Sequence, residues 1–250
     1  MLLLVRMTHW TLIPRMFSLD KTPTYASTWN VIKALLKRDW KSGTRSGGGW
    51  FHAVYFFAVF ACFMAFTVGP NSSALVMTAP GLLWLGTMLA LQLSATDLFA
   101  SDFQDESLKV IVTERGELTP YVTAKLIFVS LTSALPIIVL SPLYFIIFAL
   151  DPSQAVHASL VFAIGCPTLI LAASVSAALS SSMNVSGVLG ACLSIPVAIP
   201  ALIFGVSATR KAIESRIIWS PDLQILIAIT LLYLVIVPLF LIAALRFGLE

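Results

Sequence analysis

Four long stretches of this chain contain no Asp, Glu, Lys or Arg, and they limit what the chain can fold into. They cover residues 51–96, 126–150, 152–209 and 223–245. A helix needs about 20 consecutive apolar residues to cross the ~30 Å hydrocarbon layer of a bilayer. The first and third stretches are each long enough for two such helices, and the other two for one each. The sequence therefore predicts six transmembrane helices.

The composition excludes an ordinary soluble domain. Charged residues make up 11% of the chain and hydrophobic residues 58%, whereas soluble domains carry about 25% charged residues. So few charges cannot cover a surface that faces water. We predict an all-α membrane protein with spans at 51–68, 75–98, 121–148, 156–180, 187–208 and 223–245.

The basic residues predict how these spans are oriented. Twelve of the fifteen Lys and Arg residues fall on one side of this topology, and the other side has Arg210, Lys211 and Arg216. Cytoplasmic loops carry the excess of Lys and Arg in membrane proteins. We therefore expect a multi-pass protein with both termini in the cytoplasm.

The N-terminus divides from the rest of the chain. We expect residues 1–28 to form a cytosolic tail and residues 29–250 the six-helix membrane domain. Residues 1–19 are basic and contain no acid. This composition fits a disordered tail, a start codon placed ahead of Met7 or Met16, or a mitochondrial transit segment, and we favour the first two.

Residues 29–41 have the pattern of a helix that lies in the membrane interface. Apolar side chains recur there at helical spacing, at Trp29, Ile32, Leu36 and Trp40. Basic side chains take the other side, at Lys33, Lys37, Arg38 and Lys41. An apolar face beside a basic one, with tryptophans, is typical of interfacial helices. We expect Ser27 or Thr28 to cap this elbow helix and Gly43 to end it.

The loop at 99–118 is the one concentration of polar residues between spans. Ser101 and Gln104 fit a capping box, and the helix dipole favours the acids at 102, 105 and 106 in a first turn. We expect a short amphipathic helix over 102–113, with Gly116 as its stop. Thr119 and Pro120 then fit the N-cap and N1 positions of the third span. The loop is either a docking helix whose acids face a basic socket on a cytosolic partner, or an ordinary capped loop with a solvated acidic face.

Catalytic and ion-coupling chemistry find little support in the sequence. Asp97 is the one acid within a predicted span, so a proton relay is not expected, although a sodium site of backbone carbonyls would leave no such trace. His52 and His157 fall at opposite ends of the membrane. There is no GxSxG, HExxH or GxxxxGK[ST] run. We interpret the three cysteines as packing residues, and we expect no catalytic residue and no metal site.

The polar loop also carries a family resemblance. The run Leu98-Phe99-x-x-Asp102-x-Gln104-Asp105-x-Ser107-Leu108 resembles the signature loop of the haem exporter protein B family, CcmB. Three further stretches agree with that family in order and spacing: Ala79-Pro80-Gly81-x-x-Trp84, Gly165-x-Pro167-Thr168-Leu169, and the proline-containing run at 193–204. The resemblance covers about residues 30–245. The chain departs from the family pattern at Glu106, at 113–116 and in its tail.

The resemblance implies a function and a set of partners. It implies an ABC-2-type permease for haem export or haem-chaperone release in cytochrome c biogenesis, with an N-terminal interfacial helix and a cytoplasmic coupling helix. The partners would be a CcmA-like ATPase that uses ATP, CcmC-like and CcmD-like membrane proteins, and a CcmE-like haem chaperone. This chain would bind no resident cofactor and no nucleic acid, and haem would be a transported or handled ligand. The membrane would be the bacterial inner membrane, with the mitochondrial inner membrane as the alternative.

Two sets of site residues follow from this interpretation. Contact with the ATPase is expected at Asp102, Phe103, Gln104, Asp105, Ser107 and Leu108. Contact with membrane lipid is expected along the elbow, at Trp29, Ile32, Leu36 and Trp40. Three other functions stay open: the permease of another ABC-2 exporter, an ion-coupled carrier, and an intramembrane enzyme, which would need clustered polar side chains that the spans lack.

Overall fold

Helices make up nearly all of the chain that the structure describes. The structure is a computed structural model, and it describes residues 28–45, 51–69, 72–96, 98–104, 108, 118–183 and 187–249. Lipid offers no hydrogen bonds to a backbone, so a long apolar chain must satisfy its own polar groups, as helices do. Most of the predicted tail, residues 1–27, lies outside the described residues, as does Asp97.

The elements follow the apolar blocks of the sequence. In chain order they are α1 (Thr28–Arg45), α2 (Phe51–Val68), α3 (Ser72–Ala95), α4 (Ala100–Gln104), α5 (Thr119–Val129), a π-helical segment (Ser130–Ala134), α6 (Leu135–Ile147), α7 (Pro152–Ser182), α8 (Gly187–Ser215) and α9 (Pro221–Phe247). The segments α5, π and α6 run on without a break and together form the predicted third span.

Five helical segments are long and apolar enough to cross a membrane, which confirms the all-α membrane class. They run over Ser73–Phe103, Thr119–Ile147, Pro152–Ser182, Cys192–Ser215 and Pro221–Phe247. The predicted first span is the apolar helix α2, which has 18 residues. At 1.5 Å per residue it rises about 27 Å, slightly less than the ~30 Å hydrocarbon layer. The count of six spans stays a prediction.

Helix α7 is the centre of the bundle. It packs against α8, α9, α6 and α3. In its most apolar 18-residue stretch 78% is buried inside the protein, compared with 17% for the corresponding stretch of α9. Much of its inner surface is Ala, Ser and Gly, and small residues let neighbouring helices approach closely. The larger apolar side chains of α9 are left on the outside, where lipid would surround them.

Several predicted helix ends are wrong. The elbow helix passes Gly43 and ends at Arg45, because the roughly 1 kcal/mol cost of one glycine does not stop a helix held by packing. Helix α4 begins at Ala100, so Ser101 lies inside the helix and not at its N-cap position. Leu118, not Thr119, occupies the cap position of α5, where its side chain is buried.

A capping box lies at the start of α7. There Asp151 and Gln154 occupy the N-cap and N3 positions, and the Asp151 backbone N–H donates to Gln154 Oε1 at 3.2 Å. The sequence D-P-S-Q at 151–154 is enough to predict this capping box, because Asp is a strong N-cap residue and Gln fits the N3 position.

The π-helical segment interrupts the third span just before Pro136. Proline has no N–H to donate, and its ring clashes with the carbonyl four residues earlier, here that of Thr132. Widening the helix over 130–134 relieves this clash, and such π segments are rare in helices. The Ser130 and Thr132 hydroxyls donate to the carbonyls of Leu126 and Phe128 at 2.7 and 2.8 Å. Ser133 Oγ lies 2.6 Å from Ser94 Oγ of α3, which ties the segment to its neighbour.

Candidate functional site: a buried charged cluster

Four charged side chains meet where α1, α4 and α5 come together. Arg38 and Asp39 belong to α1, Asp102 to α4 and Lys125 to α5. Three of them are buried: Asp102 and Lys125 are 6% exposed and Asp39 is 8% exposed. We call these four residues the charged cluster. Its two cations balance its two carboxylates, so the cluster has no net charge.

Asp102 is at the centre of the cluster. Its carboxylate accepts two hydrogen bonds from Arg38 Nη2, at 3.0 and 3.1 Å. Lys125 Nζ lies 2.8 Å from Asp102 Oδ2, and the Tyr121 hydroxyl donates to the same oxygen at 2.6 Å. One side chain of α4 is therefore bound to both α1 and α5.

Asp39 completes the balance from the α1 side. Arg38 Nε donates to Asp39 Oδ1 at 3.0 Å, and Lys125 Nζ lies 3.1 Å from Asp39 Oδ2. Among the described residues that second oxygen accepts no hydrogen bond, so its attraction to Lys125 is coulombic. Burial by itself would lower the pKa of Arg38, but the Asp102 and Asp39 carboxylates raise it above its ordinary value. The guanidinium is therefore charged.

Helical spacing explains why these side chains converge. Residues 32, 35 and 39 lie on one face of α1, and Ile32 is buried there together with Asp39. Lys125 follows Tyr121 by one turn of α5, and its Nζ lies 5.7 Å from the Tyr121 ring centroid. The Tyr121 ring packs 6.1 Å from that of Phe99. Phe99 is fully buried and directly precedes α4, three residues before Asp102.

The predicted elbow residues divide between the core and the surface. Ile32 is buried and Leu36 is half-buried, whereas Trp29 and Trp40 are 56% and 51% exposed. The interfacial helix is confirmed as a helix, but the side that packs on the protein is centred on Ile32, Leu35 and Asp39. The two tryptophans flank that side.

The predicted ATPase-contact residues divide in a similar way. Asp102 and Leu108 are buried, at 6% and 0% exposure, and Phe103 is half-buried. Gln104 ends α4, and its side chain, Asp105 and Ser107 lie outside what the structure describes. Apart from Leu108, so does the rest of the predicted 102–113 helix. The contact with an ATPase therefore stays a prediction.

The basic socket expected for Asp102 lies within this chain. Arg38 and Lys125 supply it, so the carboxylate is not available to a partner in this arrangement. The sequence carried a signal for this pairing. Asp39 interrupts the basic side chains of the elbow on the side of Ile32, and Lys125 stands alone within an apolar block. A charge in either position needs a partner.

Two of the stretches that carry the family resemblance, those with Trp84 and Gly165, meet around Trp84 of α3. Its indole Nε1 donates to Thr209 Oγ1 at 2.9 Å, and its ring meets the Phe162 ring edge-on with centroids 5.4 Å apart. A Cβ on Gly165 or Gly205 would lie 2.6 or 2.5 Å from the Trp84 ring. The two glycines, on α7 and α8, therefore make the space that the indole fills.

Metal binding has no visible site in the part of the chain that the structure describes. That part contains no group of three His, Cys, Asp or Glu side chains that could hold a metal. His157 Nδ1 lies 2.6 Å from the Ser153 carbonyl one turn earlier. Cys166 is buried, but Cys62 and Cys192 are exposed, so the packing interpretation was wrong for those two.

The matches to known proteins extend over the residues of the charged cluster and over the helical bundle. Residues 30–248 match the family described as "CcmB protein". Heme exporter protein B of Bradyrhizobium diazoefficiens is 36% identical over 220 residues, which are 88% of this chain and 99% of that protein. The Rhodobacter capsulatus protein of the same name is 33% identical over 88% of this chain and 100% of its own length. The Pseudomonas aeruginosa protein is 33% identical over 81% and 92%.

Proposed function

The chain belongs to the CcmB family, and from this we propose that it is the membrane-spanning permease subunit of an ABC transporter for haem export in cytochrome c biogenesis. The observation that carries the proposal is the similarity to Heme exporter protein B of three bacteria over more than 80% of the chain. The long apolar helices and the elbow helix fit an ABC-2-type permease.

The energy source would be a separate subunit. The sequence has no GxxxxGK[ST] run to hold a nucleotide, so ATP would be hydrolysed by a CcmA-like ATPase. This chain would have no catalytic role of its own. CcmC-like and CcmD-like membrane proteins and a CcmE-like haem chaperone would complete the system, with haem as the transported or handled ligand.

The charged cluster gives this subunit a way to pass on motion from the ATPase. The predicted contact residues begin with Asp102, and the rest of that segment, 103–108, directly follows it along the chain. Asp102 is bound to Arg38 of the elbow helix and to Lys125 of the third span. A displacement of α4 would therefore be carried into both elements, because charge-assisted hydrogen bonds shielded from water are strong and directional.

The distribution of basic residues supports an orientation for this arrangement. The charged cluster lies on the side of the topology that has twelve of the fifteen Lys and Arg residues. By the positive-inside rule that side faces the cytoplasm. The membrane would be the bacterial inner membrane, because the similar proteins named above are bacterial.

Co-purification tests the proposal. The tagged full chain is expressed with a CcmA-like ATPase and the CcmC-like and CcmD-like proteins, then purified in mild detergent. We expect the ATPase to co-purify in stoichiometric amount. A chain that purifies without the ATPase, yet moves haem across vesicles until an uncoupler is added, would contradict the proposal and favour an ion-coupled carrier.

The contact segment has its own test. Asp105→Lys should reduce the recovered ATPase at least severalfold, because a like charge opposes the basic surface expected on the partner. Glu214→Lys makes the same charge change on an exposed residue of α8, at the opposite end of the bundle, and should recover as much ATPase as the wild type. Equal recovery for both variants would remove 103–108 as the contact.

A further inference from the structure

The surface of α1 divides into three strips that run along the helix. Successive residues of an α-helix are about 100° apart, which places Ile32, Leu35 and Asp39 on one strip. Ile32 and Asp39 are buried, and Leu35 packs against the core. This strip faces the protein, and the charged cluster fixes it there. The rotation of α1 about its own axis is therefore set.

The second strip carries two tryptophans and lies beside the protein-facing strip. Trp29, Leu36 and Trp40 lie within about 40° of one another around the helix. Both tryptophans are more than half exposed. Tryptophan is enriched where the apolar and polar layers of a membrane meet. Because α1 packs against α5 at the start of the third span, this strip is placed to enter the membrane surface.

The third strip is basic and borders the aromatic one. Lys33 and Lys37 are exposed and lie one turn apart. Lys33 Nζ lies 5.2 Å from the centroid of the Trp29 ring, which shows how close the two strips are. Neither lysine forms an ion pair with any residue that the structure describes.

Arg38 behaves differently from these two lysines. It turns towards Asp39 and Asp102, and its charge is compensated inside the cluster. The cluster as a whole is neutral, so Lys33 and Lys37 leave this side of α1 positively charged. With the aromatic strip at the membrane surface, the two cations beside it would lie at the depth of lipid headgroups, and anionic lipids attract such residues.

We propose that Lys33 and Lys37 bind the headgroups of anionic phospholipids, so that α1 selects anionic lipid beside the charged cluster. The lysines would contact the phosphate oxygens while Trp29 and Trp40 lie at the boundary with the acyl chains. The inference requires neither haem nor an ATPase, so it can fail while the proposed function holds.

Tryptophan quenching in vesicles tests this lipid selectivity. The purified full chain is reconstituted in phosphatidylcholine vesicles that contain brominated phosphatidylglycerol or, separately, brominated phosphatidylcholine. The two quenching curves give the association constant of anionic relative to zwitterionic lipid. A lysine near an anionic surface changes binding about fivefold in the favourable limit, so we expect about a two- to fivefold preference for phosphatidylglycerol. Added salt at about 0.5 M should reduce it, because salt screens exposed charges.

Three variants decide the interpretation. Lys33→Gln with Lys37→Gln should abolish the preference, and Lys33→Arg with Lys37→Arg should keep it. Arg210→Gln with Arg216→Gln removes the same charge at the opposite end of the molecule and should leave the preference as in the wild type. An unchanged preference in the Lys→Gln variant would overturn the proposal. So would loss of ATPase co-purification by that variant with its lipid preference intact, because the strip would then be a protein contact.

Discussion

The two ends of the molecule both carry ion pairs, but they use them differently. At the end where α1, α4 and α5 meet, Arg38 and Asp102 are 64 positions apart in the chain, and the cluster is mostly buried. At the opposite end, Asp222 contacts Lys211 Nζ at 2.6 Å and accepts a hydrogen bond from Ser207. There the Lys211 side chain is 47% exposed, and all three residues belong to the corner between α8 and α9.

The difference lies in what each set of charges holds together. Breaking one partner of a buried ion pair leaves an uncompensated charge and costs about 3–5 kcal/mol, whereas exposed pairs contribute about 0–1 kcal/mol. The buried cluster therefore fixes distant elements against one another. The opposite end is held by apolar packing, and its ion pairs add little. This suits a protein in which one end receives force from a partner.

The largest effect is expected from Asp102→Asn. The substitution keeps the shape but leaves Arg38 and Lys125 with one carboxylate between them, so the free energy of unfolding should fall by about 3–5 kcal/mol. The measurement is the unfolding of the purified chain in detergent. Glu214→Gln, an exposed carboxyl on α8, is the matched control and should change stability by less than about 0.5 kcal/mol.

A double variant separates charge balance from packing. Lys125→Met removes the second charge and leaves Arg38 facing Asp39, so the cluster is neutral again. Asp102→Asn with Lys125→Met should therefore be less destabilised than the sum of the two single variants, by at least about 1 kcal/mol in the double-mutant cycle. Strict additivity would mean that Asp102 and Lys125 do not interact.

The packing around Trp84, midway between the two ends, shows how much stability an uncharged contact contributes in comparison with the charged cluster. Gly205→Ala puts a Cβ 2.5 Å from the indole ring, and such overpacking costs about 1–3 kcal/mol. Gly81→Ala is the control on α3, because its Cβ would meet no atom within 4 Å. If both variants lose the same free energy of unfolding, the space left by the missing glycine side chain is not what holds Trp84 in place.

An effect smaller than that of Asp102→Asn is expected from Tyr121→Phe at the charged end. Its hydroxyl donates to a carboxylate at 2.6 Å, and hydrogen bonds to charged groups contribute about 1.5–3 kcal/mol. Tyr233→Phe removes a hydroxyl that donates to the Val197 carbonyl at 2.9 Å, which should cost about 0.5–1.5 kcal/mol. The same unfolding assay compares the two. A larger loss of unfolding free energy for Tyr233→Phe than for Tyr121→Phe would contradict the conclusion that the charged cluster stabilises the fold more than a neutral hydrogen bond does.

The smallest effect is expected from Asp222→Asn at the opposite end. Because Lys211 is half exposed, the free energy of unfolding should fall by about 0.2–1 kcal/mol, and this fall should be smaller in high salt. If Asp222→Asn lowered the free energy of unfolding as much as Asp102→Asn, the two ends would not differ in how strongly their ion pairs stabilise the fold.

The sequence predicted what depends on local pattern and missed what depends on distant pairing. Charge-free stretches located the long helices, and alternating apolar and basic residues located α1. The partner of Asp102 was misplaced, because no local periodicity relates position 102 to positions 38 and 125. The π segment also went unpredicted, since proline is common in membrane helices and the distortion at Pro136 depends on how the neighbouring helices accept it. The family, in contrast, was identified from four short stretches, two of which the fold brings together at Trp84.

ATP-driven haem handling by the reconstituted complex tests the central claim most directly. The complex of this chain with the ATPase and the CcmC-like and CcmD-like proteins is placed in vesicles, and release of the haem-loaded chaperone is followed after ATP is added. The account predicts release that stops when this chain is left out or when the ATPase cannot hydrolyse ATP. Release that continues without this chain, or that needs this chain but no ATPase, would contradict it.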